Sequence, residues 1–497
     1  MNLKNVLEKT AREMPHNTAF VLGSQRVTYR EFDETSNRIA HALIGAGINK
    51  GDHVGILMGR TPEWVINCFG ILKAGGVAVL LDSRVKAPEL EPQLRESHAR
   101  ALIIEERFSP LVSSVMPSVP MLKHVMQADT DAYRTLLAGS SSASPDVDID
   151  GEDSAIIFYT LGVLGKNKGV LHTHSSFTSA LDGMVPKMEM GTEDVVLGLL
   201  PFNYLLGFGV VVLCPIVNGA TMVILPHFSS KNVLEVTQQE KATMLIGVPA
   251  SFNALAVADE EILKAYDLSS LRTVLTAGAK SSAYLMEMLE NRLNLTVMEI
   301  YGLTELILVT MGGARDRKLG TVGRPVAELR ILDSDGNEVP QGEVGEAVGR
   351  APFMMKEYYD SPELTAQVLK DGWFHTRDMV RMDEDGYVEY VEKMSSIIVP
   401  SVGVKILPEA VEEVLLRHPA VAEIAYVGVV DEYRGQIPTA FIVLKDGQSA
   451  TMDEMRDFCR ESVTDYKVPK QVRFLDSLPR TPSGQIDRKL LSTTREG

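Results

Sequence analysis

Between residues 159 and 170 the chain reads YTLGVLGKNKGV. Gly162, Gly165 and Gly169, interleaved with Lys166 and Lys168, have the spacing of a loop that wraps phosphates. Glycines let backbone N–H groups converge on an anion, and the lysines supply charge. The positions flanking Gly162 and before Gly165 could carry hydroxyls, but they are Leu161, Val163 and Leu164. Such a turn can approach an anion, yet it lacks the side-chain donors that would grip a polyphosphate. Two further stretches could do chemistry. YGLTE (301–305) offers a ring, a hydroxyl and a carboxylate within one turn, and DGWFHTRD ends on Asp378. Alone, YGLTE also reads as a strand-to-helix turn capped by Thr304, and Asp378 as a turn residue.

These groups need a scaffold. A chain of 497 residues exceeds one core, so two to four domains are expected. Hydrophobic residues make up 45% and charged residues 23%, as in ordinary globular enzymes. A net charge of −17 argues against nucleic acid or an anionic membrane as a partner. Cys68, Cys214 and Cys459 are far apart in apolar or helical surroundings and read as core thiols of a cytoplasmic protein. The opening MNLKNVLEKTAREMP is an amphipathic helix pattern, unlike a signal peptide. The most apolar run, LLPFNYLLGFGVVVLCPIV (199–217), is interrupted by glycines and prolines, which points to core or pocket lining.

From residue 25 to 80 helical and strand patterns alternate: TYREFDETSNRIAHALIGAGI, HVGILMG, PEWVINCFGILKAG, GVAVLLD. RALIIEE, ATMVILP, ATMLIGVP and LRTVLTAG continue the rhythm, which predicts parallel sheets with helical crossovers. AGSSSASPDVDIDGED (138–153) reads as a surface linker. After about residue 320, short strands with glycine turns suggest a small β-subdomain, and the last hundred residues a compact α+β module.

YTLGVLGKNKGVLHTH, LPFNYLLG, TAGAK, IYGLTE, GTVGRP, DGWFHTRD, DEDGYVEYVEK, SVGVKILPEAVEE and LPRTPSGQIDR occur in that order. Together they resemble the adenylate-forming superfamily of acyl-CoA synthetases, luciferases and peptide-synthetase adenylation domains. The resemblance implies an α/β fold with a large N-terminal domain of parallel sheets flanked by helices, plus the small β-subdomain. That AMP-binding domain would span 1–393 and a small, mobile α+β C-terminal domain 394–497. It implies two half-reactions: an acid attacks ATP to give acyl-AMP and pyrophosphate, then the thiol of coenzyme A displaces AMP. Gly278 and Ala279 match the backbone against adenine, Tyr301 the ring stacked on it, and Gly302 the room beside it. Thr304 matches the phosphate-binding hydroxyl, Glu305 the Mg2+ carboxylate, Asp378 the acceptor from the ribose hydroxyls, and Lys393 a ribose contact. Tyr204 stands at the mouth of the acyl site, able to gate the thiol, while Val402 and Gly403 match the loop lining the CoA channel.

The departures are selective. Leu161, Val163 and Leu164 replace Ser, Thr and Thr, and Gln485 takes the place of the lysine that bridges carboxylate and α-phosphate during adenylation. Each hydrogen bond to a charged group is worth roughly 1.5–3 kcal/mol, and loss of such a charge costs on the order of 10²–10³ in rate. Arg377 stands for the usual glycine, Glu392–Lys393 for the usual Gly-Arg pair, and Ser395 at the hinge. The implied catalytic set is therefore Tyr204, Thr304 and Glu305 with Gln485 at the lysine position. The preferred expectation is an acyl-CoA ligase-type enzyme that joins acyl-AMP to CoA, with its own adenylation impaired or lost. A separate adenylating ligase would then supply the acyl-AMP. Two alternatives stay open: a complete ATP- and Mg2+-dependent ligase using Lys166 or Lys489 instead, and a silent binding or scaffold member. The pocket segments PFNYLLGFGVVV, GVPASFNALA and ELILVTMGG imply a hydrophobic acyl group. The sequence leaves a homodimer open.

Overall fold

The structure is a computed structural model. It describes residues 1–494 except 161–167, 226, 257–259, 279–280, 282, 334, 394–397, 401–403, 405, 407, 432–434, 480–485 and 487. The chain divides into two compact units, the first comprising Met1–Ser83, Glu91–Thr160 and Lys168–Glu392. The second comprises Arg84–Leu90, Leu161–Asn167 and Lys393–Gly497.

The first unit is mixed α/β and holds three sheets. In the seven-stranded sheet, Ser154–Thr160, Val77–Leu80, His53–Leu57, Ala101–Ile104 and His124–Gln127 run parallel in that spatial order. Lys168–Thr173 and then Glu357–Tyr358 extend it as antiparallel edge strands. The central strands are buried along their whole length and almost wholly apolar, as cover on both faces by crossover helices requires. Their helices carry clear start signals. Thr28 and Glu31 form a reciprocal cap on Tyr29–Gly45, and Thr61 with Pro62 opens Pro62–Lys73.

The nine-stranded sheet has a parallel core of Thr296–Tyr301, Thr273–Ala277, Met244–Gly247, Val195–Gly198, Thr221–Ile224 and Thr18–Leu22. Aromatic side chains fill the space around these strands: Phe158 packs on Phe208, Phe177 on Phe208, and Trp64 on Phe202. After Val195–Gly198, Gly207–Leu213 winds as a wide π-helical turn, entirely buried, and continues into Cys214–Asn218. Residues 207–216 of the long apolar run read from the sequence are thus core, residues 203–206 are half-buried, and no helix among the described residues is long and apolar enough to cross a membrane. The small sheet joins Glu328–Leu332, Gly345–Arg350, Trp373–Met382 and Leu369–Lys370, with Val388–Lys393 beside Trp373–Met382.

The Ser/Pro/Asp-rich stretch is more tied down than a linker need be. Asn2, Lys4, Asn37 and Arg38 donate to the carbonyls of Ile149, Pro145, Ser142 and Ser140, strapping it across two helices. Cys68, Cys214 and Cys459 are free and buried, and burial pushes the Cys214 and Cys459 thiols up to about 12.

The second unit has a three-stranded sheet, Val421–Asp431, Gly435–Leu444 and Gln471–Phe474, with helices Pro408–Leu416, Met452–Arg460 and Arg488–Ser492. Ile424, Tyr426, Ile442, Met455 and Cys459 are among its buried core.

Where the π-helical turn meets its strand, clearance is minimal: a Cβ on Gly198 would lie 2.1 Å from Val211 Cγ1. Gly198→Ala should therefore destabilise the protein by about 1–3 kcal/mol. Adding Val211→Ala should recover part of that loss, as read by urea denaturation of the single and double variants.

Candidate active site

The site is built at a reversal of chain. Strand Thr296–Tyr301 ends on Tyr301, and the backbone doubles back at once: Leu303 N–H donates to Leu306 C=O and Val309 N–H to Tyr301 C=O. Gly302 permits this, because a Cβ there would sit 2.2 Å from the Ile307 carbonyl oxygen. The glycine is thus required by the turn's own backbone, a closer constraint than room for a bound ring.

Three bonds fix the turn's polar groups. His172 Nε2–H donates to the Thr304 carbonyl at 2.6 Å, and its Nδ1 lies 3.1 Å from Ser176 Oγ. Tyr358 OH donates to Glu305 Oε1 at 2.7 Å, and Met355 N–H donates to the Glu305 carbonyl. His172 and Tyr358 lie on neighbouring edge strands of the seven-stranded sheet, so both bonds run between the two large sheets. Burial among Phe158 and Phe177 lowers the His172 pKa to about 4, so the ring is neutral at pH 7.

Asp378 is buried at 1% exposure. Its Oδ2 accepts from Tyr301 OH at 2.9 Å and its Oδ1 from Tyr390 OH at 3.3 Å. Burial, and next the Asp378 carboxylate, raise the Tyr301 pKa well above its ordinary value, so the phenol stays a donor. Asp378 faces inward with Phe374, Thr376 and Val380, the alternate buried positions of its strand, and a β-bulge lies beside it. The pairing of Trp373–Met382 with Gly345–Arg350 slips between Glu346 and Val348, and Arg377 takes a left-handed φ of 58°. Arg377 N–H donates to Glu346 Oε1, which holds the bulge. Glycine suits that backbone and arginine does not, so Arg377 stores about 1–2 kcal/mol of strain. The unusual residue therefore bears on backbone geometry beside Asp378.

Gly278 also has a left-handed φ, of 81°, at the end of Thr273–Ala277. A side chain there would begin 3.7 Å from Val248 Cγ1 and 3.9 Å from Leu206 Cδ2. Three separate sequence segments thus meet in one apolar wall beside the Gly278 backbone. Tyr204, two residues before Leu206, donates its OH to Asp82 Oδ2 at 2.7 Å.

Comparison with known proteins now decides the family. Residues 7–359 match the AMP-binding enzyme family and residues 410–485 the AMP-binding enzyme C-terminal domain. The chain belongs to the AMP-binding enzyme family. It is 33% identical over 483 residues to a feruloyl-CoA synthase of Amycolatopsis sp, covering 96% of each protein. Among solved structures it is similar to the amide bond synthetase McbA from Marinactinospora thermotolerans, with TM-score 0.90, 28% identity and 99% of each chain covered. It is also similar to the anthranilate CoA ligase AuaEII in complex with anthranoyl-AMP, with TM-score 0.76, 29% identity, and 99% and 96% of the two chains covered. The α/β architecture expected from the sequence is that of these adenylate-forming enzymes.

Of the family positions singled out in the sequence, the structure brings Tyr301, Gly302, Thr304, Glu305 and Asp378 together. Lys168 and Gly169 open the strand Lys168–Thr173, with Lys168 paired to Thr160 and Gly169 to Tyr159. Gly162, Gly165, Lys166, Ala279, Val402, Gly403 and Gln485 lie outside the described residues, as do Leu161, Val163, Leu164 and Ser395. Lys393 closes strand Val388–Lys393, and its side chain likewise lies outside the description. Sequence reading missed His172, Tyr358, Tyr390 and Asp82. His172, Tyr390 and Asp82 lay in quoted stretches without being singled out, and Tyr358 lay in none.

Among the described residues no three His, Cys, Asp or Glu side chains gather into a metal cage. Glu305 fits Mg2+ only as a single carboxylate sharing the ion with phosphate oxygens, the common manner of binding that metal.

Two measurements check this geometry. His174, like His172, is lowered to about 4 by burial. Unfolding exposes both rings to their ordinary pKa near 6.5, so the unfolded chain binds more protons in acid. Stability should be full above about pH 6.5 and fall as pH drops toward 4, by roughly 3 kcal/mol per ring at most. Urea midpoints across that range read the slope. Arg377→Gly should leave the bulge intact and raise the unfolding free energy by up to about 1 kcal/mol.

Proposed function

We propose that this protein forms an acyl-CoA thioester from acyl-AMP and CoA with release of AMP, and that its own adenylation step is impaired or lost. The CoA sulfur attacks the acyl carbonyl, a C–S bond forms, the bond from that carbon to the phosphate oxygen breaks, and the thiol proton passes to solvent. The observation that carries the reading is an asymmetry. The nucleoside side keeps its buried acceptor, Asp378, with Tyr301 and Tyr390 ordered around it. The phosphate-loop hydroxyls and the adenylation lysine are replaced by Leu161, Val163, Leu164 and Gln485.

In this reading Asp378 accepts from the ribose, Tyr301 faces adenine, and Thr304 binds the single phosphate. Gly278, Ala279 and Lys393 complete the AMP contacts, while Val402 and Gly403 line the CoA channel. Residues 1–393 form the AMP-binding domain and 394–497 the mobile domain. The acyl group is hydrophobic, which the Val248 and Leu206 wall supports, as do two CoA-forming relatives named for feruloyl and anthranilate. Buried free thiols support a reducing cytoplasm. A separate adenylating ligase supplies acyl-AMP.

One observation favours a second reading, a complete ATP-dependent acid–CoA ligase. The match to a feruloyl-CoA synthase runs over 96% of both chains. In that case Glu305 would be the protein carboxylate that holds Mg2+, which would supply neutralisation of phosphate charge.

Purified protein given acyl-AMP and CoA should yield thioester, while acid, ATP and CoA should release pyrophosphate slowly or not at all. Fast pyrophosphate release by the unaided protein would establish the second reading instead. Restoring the lost groups through Leu161→Ser, Val163→Thr, Leu164→Thr and Gln485→Lys together should raise pyrophosphate release on the order of 10²–10³-fold.

A further inference from the structure

Tyr204 is held at both ends. A Cβ on Gly207 would lie 1.8 Å from the Pro201 carbonyl oxygen, so the backbone from 201 to 207 is closed tightly on itself. Phe208 N–H donates to the Tyr204 carbonyl at 2.9 Å and anchors the residue to the start of the π-helical turn. With the main chain fixed, the direction of the ring is the remaining freedom. The 2.7 Å bond from Tyr204 OH to Asp82 Oδ2 sets it. A hydroxyl donating to a carboxylate makes one of the stronger hydrogen bonds a protein uses.

Asp82 stands where a ligand-facing group should stand. It lies two residues past the strand Val77–Leu80, whose Leu80 pairs with Phe158 on the strand that leads into the 161–167 loop. That is the carboxyl end of a parallel sheet, where ligands of open α/β folds bind. Tyr204 follows Val195–Gly198 of the other large sheet, two residues before the Leu206 that faces the Gly278 backbone. The bond therefore spans the two sheets at the apolar wall.

We propose that Asp82 is a positioning residue for thioester formation, its carboxylate holding the Tyr204 ring in the orientation that admits the thiol to the acyl carbon. The inference rests on the function proposed above, in which Tyr204 stands at the acyl mouth. In this role Asp82 acts through the phenol. Asparagine retains an acceptor oxygen for that phenol, whereas alanine removes it.

The test is a double-mutant cycle on thioester formation from acyl-AMP and CoA, using Asp82→Ala, Tyr204→Phe, the pair combined, and Asp82→Asn. Asp82→Ala and Tyr204→Phe should each lower kcat about tenfold with little change in the KM for acyl-AMP, and the double variant should be no slower than the worse single variant. Asp82→Asn should restore most of the rate. Additive losses, an unaffected Asp82→Ala, or no rescue by asparagine would each overturn the inference. A substrate-free crystal structure of Asp82→Ala reads the same tie without turnover: the Tyr204 ring should leave its present orientation while the 201–208 backbone stays. An unmoved ring overturns the inference even where the wild type proves active. A wild type inert toward acyl-AMP and CoA refutes the proposed function instead, and the ring's position still decides whether Asp82 holds it.

Discussion

Everything about the candidate site depends on a hydrogen bond between a neutral histidine and a main-chain carbonyl. His172 Nε2–H reaches the Thr304 oxygen across the seam between the two large sheets. The apolar contacts there, Phe158, Phe177 and Phe208, resist separation but do little to specify register. Directional bonds do specify it. A buried hydrogen bond adds only about 0.5–1.5 kcal/mol net, yet leaving either partner unmade costs about 1–3 kcal/mol. The His172, Tyr358 and Tyr204 bonds thus penalise sliding of one sheet past the other, and a sheet that slid would carry YGLTE away from the strand entering the 161–167 loop.

Neutrality matters to that arrangement. A protonated His172 would put an unmatched charge among phenylalanines, which is why its affinity for protons falls. Tyr301 is subject to the same logic from the acid side: burial and the neighbouring Asp378 carboxylate keep its proton in place. Both donors are held in their donating forms, so the site is ordered before any ligand arrives. Preorganised donors and acceptors need no rearrangement on binding, and under the proposed function that is how Asp378 would accept from the ribose hydroxyls.

Much of this was legible in the sequence, unevenly. Strands such as HVGILMG and LRTVLTAG and helices such as TYREFDETSNRIAHALIG were readable because apolar period, caps and glycines agree locally. The motif residues Tyr301, Glu305 and Asp378 were readable as types but not in their connections. Tyr301 meets Asp378 across 77 positions, Glu305 meets Tyr358 across 53, and Tyr204 meets Asp82 across 122. Pairings that long leave no local period or spacing, so Tyr358 and Asp82 gave no signal as partners; Tyr390 meets Asp378 across only 12 positions, between two strands whose register the apolar pattern alone does not fix. Gly302 and Arg377 carry a further demand that the motifs did not reveal. Gly302 was read for the room it leaves a ligand and Arg377 only as a departure from the usual glycine, while the backbone at each shows a steric demand from the chain itself.

That distinction sharpens the meaning of the substitutions. Arg377 can be absorbed as strain, because a bulge fixed by Glu346 tolerates about 1–2 kcal/mol without moving Asp378. Leu161, Val163, Leu164 and Gln485 are of another kind: no backbone adjustment replaces a hydroxyl or an ammonium. The groups that the scaffold itself needs, His172, Gly302, Tyr358 and Glu305, are all present and engaged. A chain drifting out of use would lose packing and chemistry together. Under the proposed reading the losses fall on groups that serve pyrophosphate and the adenylation transition state, so the fold would keep its nucleoside pocket while one half of the reaction passes to another enzyme.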